Sequence, residues 1–560
     1  MTATHNVFNQ ASALVGYNLF GNDKVLKDGV QRAGASWADE QLTVFGALMG
    51  SEAVQLLAVQ ANENEPVLHT HDRFGHRIDQ VDFHPSWHEM MRMSVEHRVH
   101  SLPWSDPRPG AHVARAAMMF MAYQTEAGHC CPISMTYSAV PALRRQSDLA
   151  AIWEPMIVSN QYDLRYRPAA QKTGIIMGMA MTEKQGGSDV RANTTRAVPV
   201  CKGGPGGEYL ITGHKWFCSA PMSDAFLVLA KTEKGVSCFL VPRWLPDGTR
   251  NVFNIQRLKD KLGNRSNASS EVEFENTLGW LVGEEGRGVP TIIEMVNHTR
   301  LDCAIGSAAL MRQATVQAVH HCSQREAFGK KLINQPLMKN VLADLAVESE
   351  AATRLMMRVA RAYDQQGKSE GEAAFKRIAS AIAKYWLCKR APAHVVEALE
   401  CHGGNGYVEA SVMPRLFRES PLNSVWEGSG NVISLDVLRA IGKEPASVDA
   451  LVAELAVVKG ADGRLTRFIN GTQRDLLAVR KPPTRNKTAH PELLEMRGRR
   501  LVEKLALALQ AKLMVEEASS ASAEAFIATR INGNGGICFG TLPEKTKFDD
   551  IVGGAHTLTK

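Results

Sequence analysis

One change of character partway along the chain constrains the fold most. Up to about Gly174 the sequence reads as mostly helical with long loops. Near Met181 it switches to short strand-like runs at Tyr209–Thr212, Phe226–Lys231, Val236–Pro242 and Glu271–Phe274. Turn signals separate them at Gly203-Gly204-Pro205-Gly206-Gly207, Pro246-Asp247-Gly248 and Gly263-Asn264. From about Val289 the helical period returns, over Ala304–His320, Met338–Gln366 and Ala373–Leu399. The coarse order is therefore helix, an all-β insert of about a hundred residues, then helix again. Ala111–Thr125, rich in small and apolar residues, is expected to be a buried helix. At 560 residues the chain has room for three or four domains of roughly 100–200 residues each.

Composition excludes some classes. With 44% hydrophobic and 22% charged residues the chain can bury a large core, so global disorder is ruled out. The longest apolar run, near Gly174–Met181, falls far short of the roughly 20 residues a membrane span needs, so no membrane partner is expected. The opening residues carry no basic region followed by an apolar core, so no signal peptide is read there. Ten cysteines with no Cys-x-x-Cys pair suggest neither a metal site nor a disulfide framework, and a cytoplasmic protein with reduced thiols is the expectation.

Several short stretches could carry chemistry. In Met181-Thr182-Glu183-Lys184-Gln185-Gly186-Gly187-Ser188-Asp189, glycines permit close backbone approach to a ligand and hydroxyls can bond its oxygens; alone it reads equally as a polar turn. In His214-Lys215-Trp216-Phe217-Cys218-Ser219-Ala220, an aromatic beside small polar residues can stack on a flat ring, although a core Trp in a strand is the commoner outcome. Val425-Trp426-Glu427-Gly428-Ser429-Gly430-Asn431 places a carboxylate between an aromatic and a flexible turn, which suits a general base, or equally a solvated surface turn. Arg325-Glu326-Ala327-Phe328-Gly329 with Gln335, and Gly403-Gly404-Asn405-Gly406-Tyr407, pair a cationic fork with open glycine backbone, as pyrophosphate binding requires.

The order of these stretches, with Lys261-Leu262-Gly263-Asn264-Arg265-Ser266 between them, resembles the acyl-CoA dehydrogenase flavoprotein superfamily from about residue 60 to 440. Met181–Thr195, Arg257–Phe274 and Asn423–Leu438 resemble its AidB branch, as does a basic helical extension after residue 445. The resemblance implies an α+β multidomain fold of the acyl-CoA dehydrogenase type, plus that extension. Its parts would be an N-terminal helical domain (1–178), a β-barrel-like domain (179–286), a four-helix bundle (287–445), the basic helical extension (446–535) and a flexible tail (536–560).

It also implies FAD, held by Met181, Thr182, Gly187 and Ser188, with Trp216, Phe217, Cys218 and Ser219 along the outer face of the flavin. Arg325, Phe328, Gln335, Gly403, Gly404 and Gly406 would reach the FAD of a neighbouring subunit in a homotetramer; Ser429 and Asn431 would close over the adenosine side of FAD, and Trp426, Gly428 and Gly430 would be further cofactor contacts. Glu427 falls at the position of the base and Arg300 at that of an acyl-site Arg; acyl-CoA would be the substrate. Three departures weigh against rapid turnover. Cys218 stands where the family has a Thr, Lys184-Gln185-Gly186-Gly187 replaces the usual flavin loop, and Asn431 replaces a Gln.

The net charge of +6 is concentrated. Residues 459–512 hold 13 Lys/Arg against 5 Asp/Glu, so one C-terminal segment carries the whole excess. Arg497, Arg500 and Lys504 form one stripe on an expected helix Pro491–Glu517, and Arg480, Lys481, Arg485 and Lys487 form a cluster before it. A charged helix face is usually only solvated. The segregation and the AidB resemblance favour instead double-stranded DNA, met through phosphates without sequence preference, in a nucleoid-associated protein of the alkylation response. The alternatives are a catabolic acyl-CoA dehydrogenase with a structural extension, and a DNA-binding protein whose flavin is only structural.

Overall fold

A computed structural model describes residues 4–480 and 491–555; the expected DNA contacts Lys481, Arg485 and Lys487 lie outside the described residues. The chain forms two compact units. One comprises Met1–Ser51, His112–Gln124 and Cys303–Lys560; the other comprises Glu52–Ala111 and Thr125–Asp302. The helical stretch expected as a single N-terminal domain is thus divided between them. The 37-residue helix Gly288–Gln324 contributes to both.

The second unit holds the sheet. A short hairpin, β1 (Val67–His71) with β2 (Arg77–Asp82), was not legible as strand in the sequence. The main sheet contains β3 (Met177–Ala180), β4 (Arg196–Pro199), β5 (Glu208–Ser219), β6 (Ala225–Thr232), β7 (Gly235–Pro242), β8 (Asn254–Leu258) and β9 (Ser269–Val282). Neighbours run β3-β6-β4-β5-β9-β7, β8 also pairs with β9, and β7 pairs back onto β6. That last pairing closes a ring, which is the barrel-like arrangement expected. Phe226, Leu227, Val228, Leu229, Phe239 and Val241 are buried on β6 and β7.

The register of β5 on β9 shifts between Lys215 and Cys218, so that Trp216 and Phe217 together oppose the single residue Glu271. Such a bulge breaks the period-2 alternation and sends two successive side chains to one face. Lys215 and Cys218 are buried, Trp216 is half-buried and Phe217 is exposed.

In the first unit, Pro336–Gln365, Glu370–Glu400 and Gly430–Lys443 pack side by side. Gly288–Gln324 runs along Glu370–Glu400 in the same direction, tied by Ser307 to Cys388 (3.2 Å) and Thr315 to His394 (2.8 Å). Ser369 caps the second of these helices by accepting from the Glu372 N–H, and Pro336 opens the first, where its missing N–H costs nothing.

The C-terminal extension is not a separate body. Its helices Pro445–Ala456, Gly463–Arg480 and Pro491–Glu517 belong to the same compact unit as the bundle. Glu454 accepts from Arg358 and from Lys512 (both 2.8 Å), Glu517 pairs with Arg354 (3.1 Å), and Trp386 donates to Gln510 (2.7 Å). Burial opposes the Glu454 charge, yet the two cations hold its carboxyl down to about 2.

The described part, 536–555, of the segment expected as a flexible tail is docked as well. Helix Phe548–Ala555 and the preceding loop lie on Pro336–Gln365, with Leu542, Ile551 and Val552 buried. Asp344 accepts the Gly540 N–H (2.9 Å), and Asn340 donates to the Leu542 carbonyl (3.0 Å).

Candidate active site

Each unit carries part of the expected site. In the sheet unit, β3 runs straight into Met181-Thr182-Glu183. The Thr182 carbonyl accepts from the Trp216 N–H (2.8 Å), which lays this loop against the bulge of β5. Glu183 then turns inward. Its carboxylate, fully buried, meets Lys215 at 2.9 Å and accepts from the backbone N–H groups of Thr194 (2.6 Å) and Thr195 (3.1 Å). Burial by itself would raise the Glu183 carboxyl; the Lys215 charge and these donors outweigh it and hold the carboxyl well below the usual range. Burial pulls Lys215 down to about 8 against the attraction of Glu183.

The anchored loop presents Gly186, Gly187 and Ser188 to solvent. A Cβ on Gly187 would stand 2.4 Å from Thr182 Oγ1, so only glycine lets the loop backbone fold over that hydroxyl.

Of the four residues expected along the flavin's outer face, Trp216, Phe217 and Ser219 keep exposure and Cys218 does not. Cys218 is sealed, and burial pushes its thiol up to about 12, so it stays protonated. Lys259 Nζ lies 3.2 Å from the centre of the Trp216 ring and 4.8 Å from that of Phe217, so both rings are reached from one side. Lys259 and Arg257 share Glu271 at 2.7 and 2.6 Å. Ser219 Oγ meets Ser269 Oγ at 3.2 Å.

A second buried cluster in this unit had no signal in the sequence. Glu126 pairs with His129 (2.9 Å) and accepts from Ser266 (2.7 Å), while His129 meets Ser94 (2.9 Å). Burial opposes the Glu126 charge, but His129 and Ser266 hold its carboxyl down to about 2. Glu126 thereby fastens the Lys261–Ser266 loop to the helical layer of its unit. Arg300, the expected acyl-site residue, is buried on Gly288–Gln324.

In the helical unit, Arg325 donates to the Asn9 carbonyl. The Asn9 carboxamide in turn accepts from the Glu326 N–H (2.7 Å) and donates to its carbonyl (2.9 Å), so the N-terminal arm clips the Arg325 loop. Gln335 donates to the Ala327 carbonyl (2.9 Å) and helps shape the same loop. Phe328 stands almost wholly exposed, at 98%, with φ 51°. Asn405 reaches Gln10 (3.3 Å), which brings the Gly403–Gly406 turn to the same arm. No heavy atom lies within 4 Å of a Cβ built on Gly403 or Gly404, so their backbone is open, whereas Gly406 packs on the Leu399 carbonyl.

The Glu427 turn is strained. Glu427 has φ 57° and Gly428 φ 101°, both in the left-handed region, which costs a residue with a Cβ about 1 kcal/mol or more. Trp426 is fixed by Nε1 donating to Asn423 Oδ1 (2.9 Å). Ser429 then precedes helix Gly430–Lys443, whose first residue packs against Lys389 and Arg499: a Cβ there would stand 2.8 and 2.9 Å from their side chains.

Among the expected DNA contacts, Arg480 ends its helix and pairs with Asp449 (3.2 Å), and Lys504 pairs with Asp475. Arg497 and Arg500 are exposed on Pro491–Glu517, and among the described residues neither forms an ion pair.

The Trp216 ring gives a flat ring a face to lie on, with the Phe217 ring at 86° to it presenting an edge, and a guanidinium with open glycine backbone suits a dinucleotide's phosphates. A helical unit with a four-helix core and a barrel-like unit with such a face define the acyl-CoA dehydrogenase class. Family models agree: the AidB N-terminal domain matches residues 9–164, the acyl-CoA dehydrogenase middle domain 178–277 and its C-terminal domain 286–442.

Relatives narrow this further. The AidB protein of Escherichia coli (strain K12) is 45% identical over 95% of this chain and 96% of its own. Acyl-CoA dehydrogenase family member 11 of Caenorhabditis elegans is 32% identical over 72% of this chain and 67% of its own. The crystal structure of Caenorhabditis elegans ACDH-11 in complex with C11-CoA matches with a TM-score of 0.83 at 27% identity, over 93% of this chain and 91% of that one. The chain belongs to the AidB branch of the acyl-CoA dehydrogenase family.

Proposed function

We propose that the protein is an FAD-dependent dehydrogenase of acyl-CoA thioesters, and that its C-terminal helices also bind double-stranded DNA. FAD is the cofactor of this family, and the bulged aromatic face, the flavin loop and the Arg325 loop fit it. The observation that carries the enzymatic half is the Glu427 turn: a carboxylate held in a costly left-handed conformation between Trp426 and Gly428, where a surface turn would have relaxed.

When bound, FAD supplies the acceptor for the hydride that leaves the β-carbon. Glu427 takes the proton from the α-carbon as that hydride leaves, and the two losses together form the α,β double bond. Trp216 would offer the ring a flat apolar face and Phe217, its ring turned 86° from that of Trp216, an edge. Thr182, ordered by the Glu183–Lys215 pair and by Gly187, would offer its hydroxyl to the flavin. Arg325 and the amides of Gly403 and Gly404 would hold the phosphates, and the exposed Phe328 and Tyr407 beside them suit contact with a second subunit in a homotetramer.

The C11-CoA carried by the nematode relative favours a medium-chain acyl thioester. The test is anaerobic bleaching of the bound flavin by a panel of acyl-CoAs, with Glu427→Gln as control. Loss of bleaching with FAD retained is expected. Bleaching that survives the substitution would remove Glu427 from the reaction.

For DNA, the supporting observation is Arg497 and Arg500, adjacent on one helix face and exposed. They would meet backbone phosphates and read no bases, in keeping with protection of DNA during alkylation stress.

A further inference from the structure

We propose that Lys384 is a positioning residue for Glu427; the inference rests on the dehydrogenase function proposed for this site. Lys384 lies on helix Glu370–Glu400 and is almost wholly buried, at 1% exposure. Its ammonium donates to the carbonyl of Trp426 (3.0 Å) and to that of Gly428. These are the two residues that flank Glu427. One side chain therefore grips the backbone on both sides of the candidate base.

The grip has a specific consequence. Glu427 at φ 57° and Gly428 at φ 101° form two successive left-handed residues, and a non-glycine residue stays there only where its surroundings over-determine it. The Gly430–Lys443 helix fixes the far end of the turn, and Trp426, bonded to Asn423, fixes the near end. Between them Lys384 supplies the two bonds that orient the intervening peptide groups. Burying an ammonium is expensive, so a lysine spent on two carbonyls rather than an apolar residue at this position marks a geometry that matters. A side chain swung by an ångström at a proton-transfer site loses rate far more than it loses binding.

The experiment uses the full-length, FAD-loaded protein. Lys384→Met removes both donors and Lys384→Arg restores them. Two quantities are read: the limiting rate and half-saturation of acyl-CoA-dependent flavin bleaching, and amide hydrogen exchange of residues 424–431. For Lys384→Met, the limiting rate should fall at least about 10-fold with half-saturation changed less than about 2-fold, because geometry for the proton transfer is lost and not thioester affinity. Exchange in 424–431 should rise while that of the rest of Glu370–Glu400 is unchanged. Lys384→Arg should recover most of both.

Unchanged exchange together with an unchanged rate overturns the proposal. So does a rise in half-saturation that accounts for the whole loss. Should Lys384→Met not hold FAD, Lys384→Gln, which removes the charge and shortens the reach to the two carbonyls, is read the same way. A wild type that no acyl-CoA bleaches overturns the dehydrogenase reading, while the exchange difference still reports on the grip itself.

Discussion

Glu183 Oε1 and Lys215 Nζ lie 2.9 Å apart, both side chains sealed from solvent, at the point where the flavin loop meets the bulge of β5. Removing one member of such a pair strands the other charge in the interior. Lys215→Met should therefore destabilise the protein by about 3–5 kcal/mol and lower its FAD affinity, whereas the double variant Lys215→Met/Glu183→Gln should recover part of the loss. Thermal denaturation and flavin titration of the three variants check this. A single variant as stable as wild type would show the pair to be dispensable.

The same pair sets an acid limit. The Glu183 carboxyl sits below its ordinary value of 4.5 in the folded chain, with Lys215 as the chief stabilising charge. A depressed carboxyl contributes stability that is complete above the unfolded value and is lost as pH falls from there toward the folded one. Flavin release followed by fluorescence should accordingly begin below about pH 4.5. In Glu183→Gln that acid-dependent component should be absent.

Gly187 provides a local test of the flavin loop. A Cβ would meet Thr182 Oγ1 at 2.4 Å, a distance real contacts do not reach. Gly187→Ala should displace the Thr182 hydroxyl and shift the visible spectrum of the bound flavin. Because the loop is exposed, the melting temperature should move little. An unchanged spectrum would place Thr182 away from the flavin ring.

The C-terminal segment should not behave as a dispensable tail. Truncation after Asn534 would strip Leu542, Ile551 and Val552 from the Pro336–Gln365 helix. At about 1.5–3 kcal/mol per buried aliphatic side chain, the loss is several kcal/mol. It would also remove the Gly540 N–H from Asp344, leaving that carboxylate to Arg530. Chemical denaturation should show a lower midpoint for the truncated chain; an identical midpoint would refute the docking.

Local signals made the order of elements readable. The strands were legible because β-branched and aromatic runs stood between Gly-rich turns, and the long helices because their apolar period was unbroken. The bulge was not, since Trp216-Phe217 reads as ordinary strand until β9 supplies the register. The compact units part at Ser51 and near His112, positions without a signal in the sequence because tertiary packing sets them. The Gly533–Gly540 stretch reads as a loop whatever docks beyond it. Glu126–His129, Glu183–Lys215 and Lys384 were silent because a buried charge and a solvated one look alike in sequence until the partner is placed. Glu427, Arg325 and the glycines are legible through the order of motifs, and the structure adds what holds the first two: Lys384 on the carbonyls beside Glu427, and Asn9 on Arg325.

The DNA reading divides the basic residues unequally. Arg480 is engaged by Asp449 and Lys504 by Asp475, so a phosphate reaching either must displace a carboxylate, while Arg497 and Arg500 are exposed with no such competitor among the described residues. Arg497→Glu/Arg500→Glu should thus weaken binding to duplexes of unrelated sequence about equally, and should lower the slope of log affinity against log salt by about 0.9 for each phosphate the protein no longer neutralises. Replacing Arg480 and Lys504 should cost less. Asp475→Asn, which frees Lys504, should strengthen binding, most visibly at low salt where electrostatic attraction is least screened. Filter binding or electrophoretic retardation across a salt series measures all three, with the flavin spectrum unchanged throughout. If the double reversal binds duplex DNA as well as wild type, this helix face is not the site.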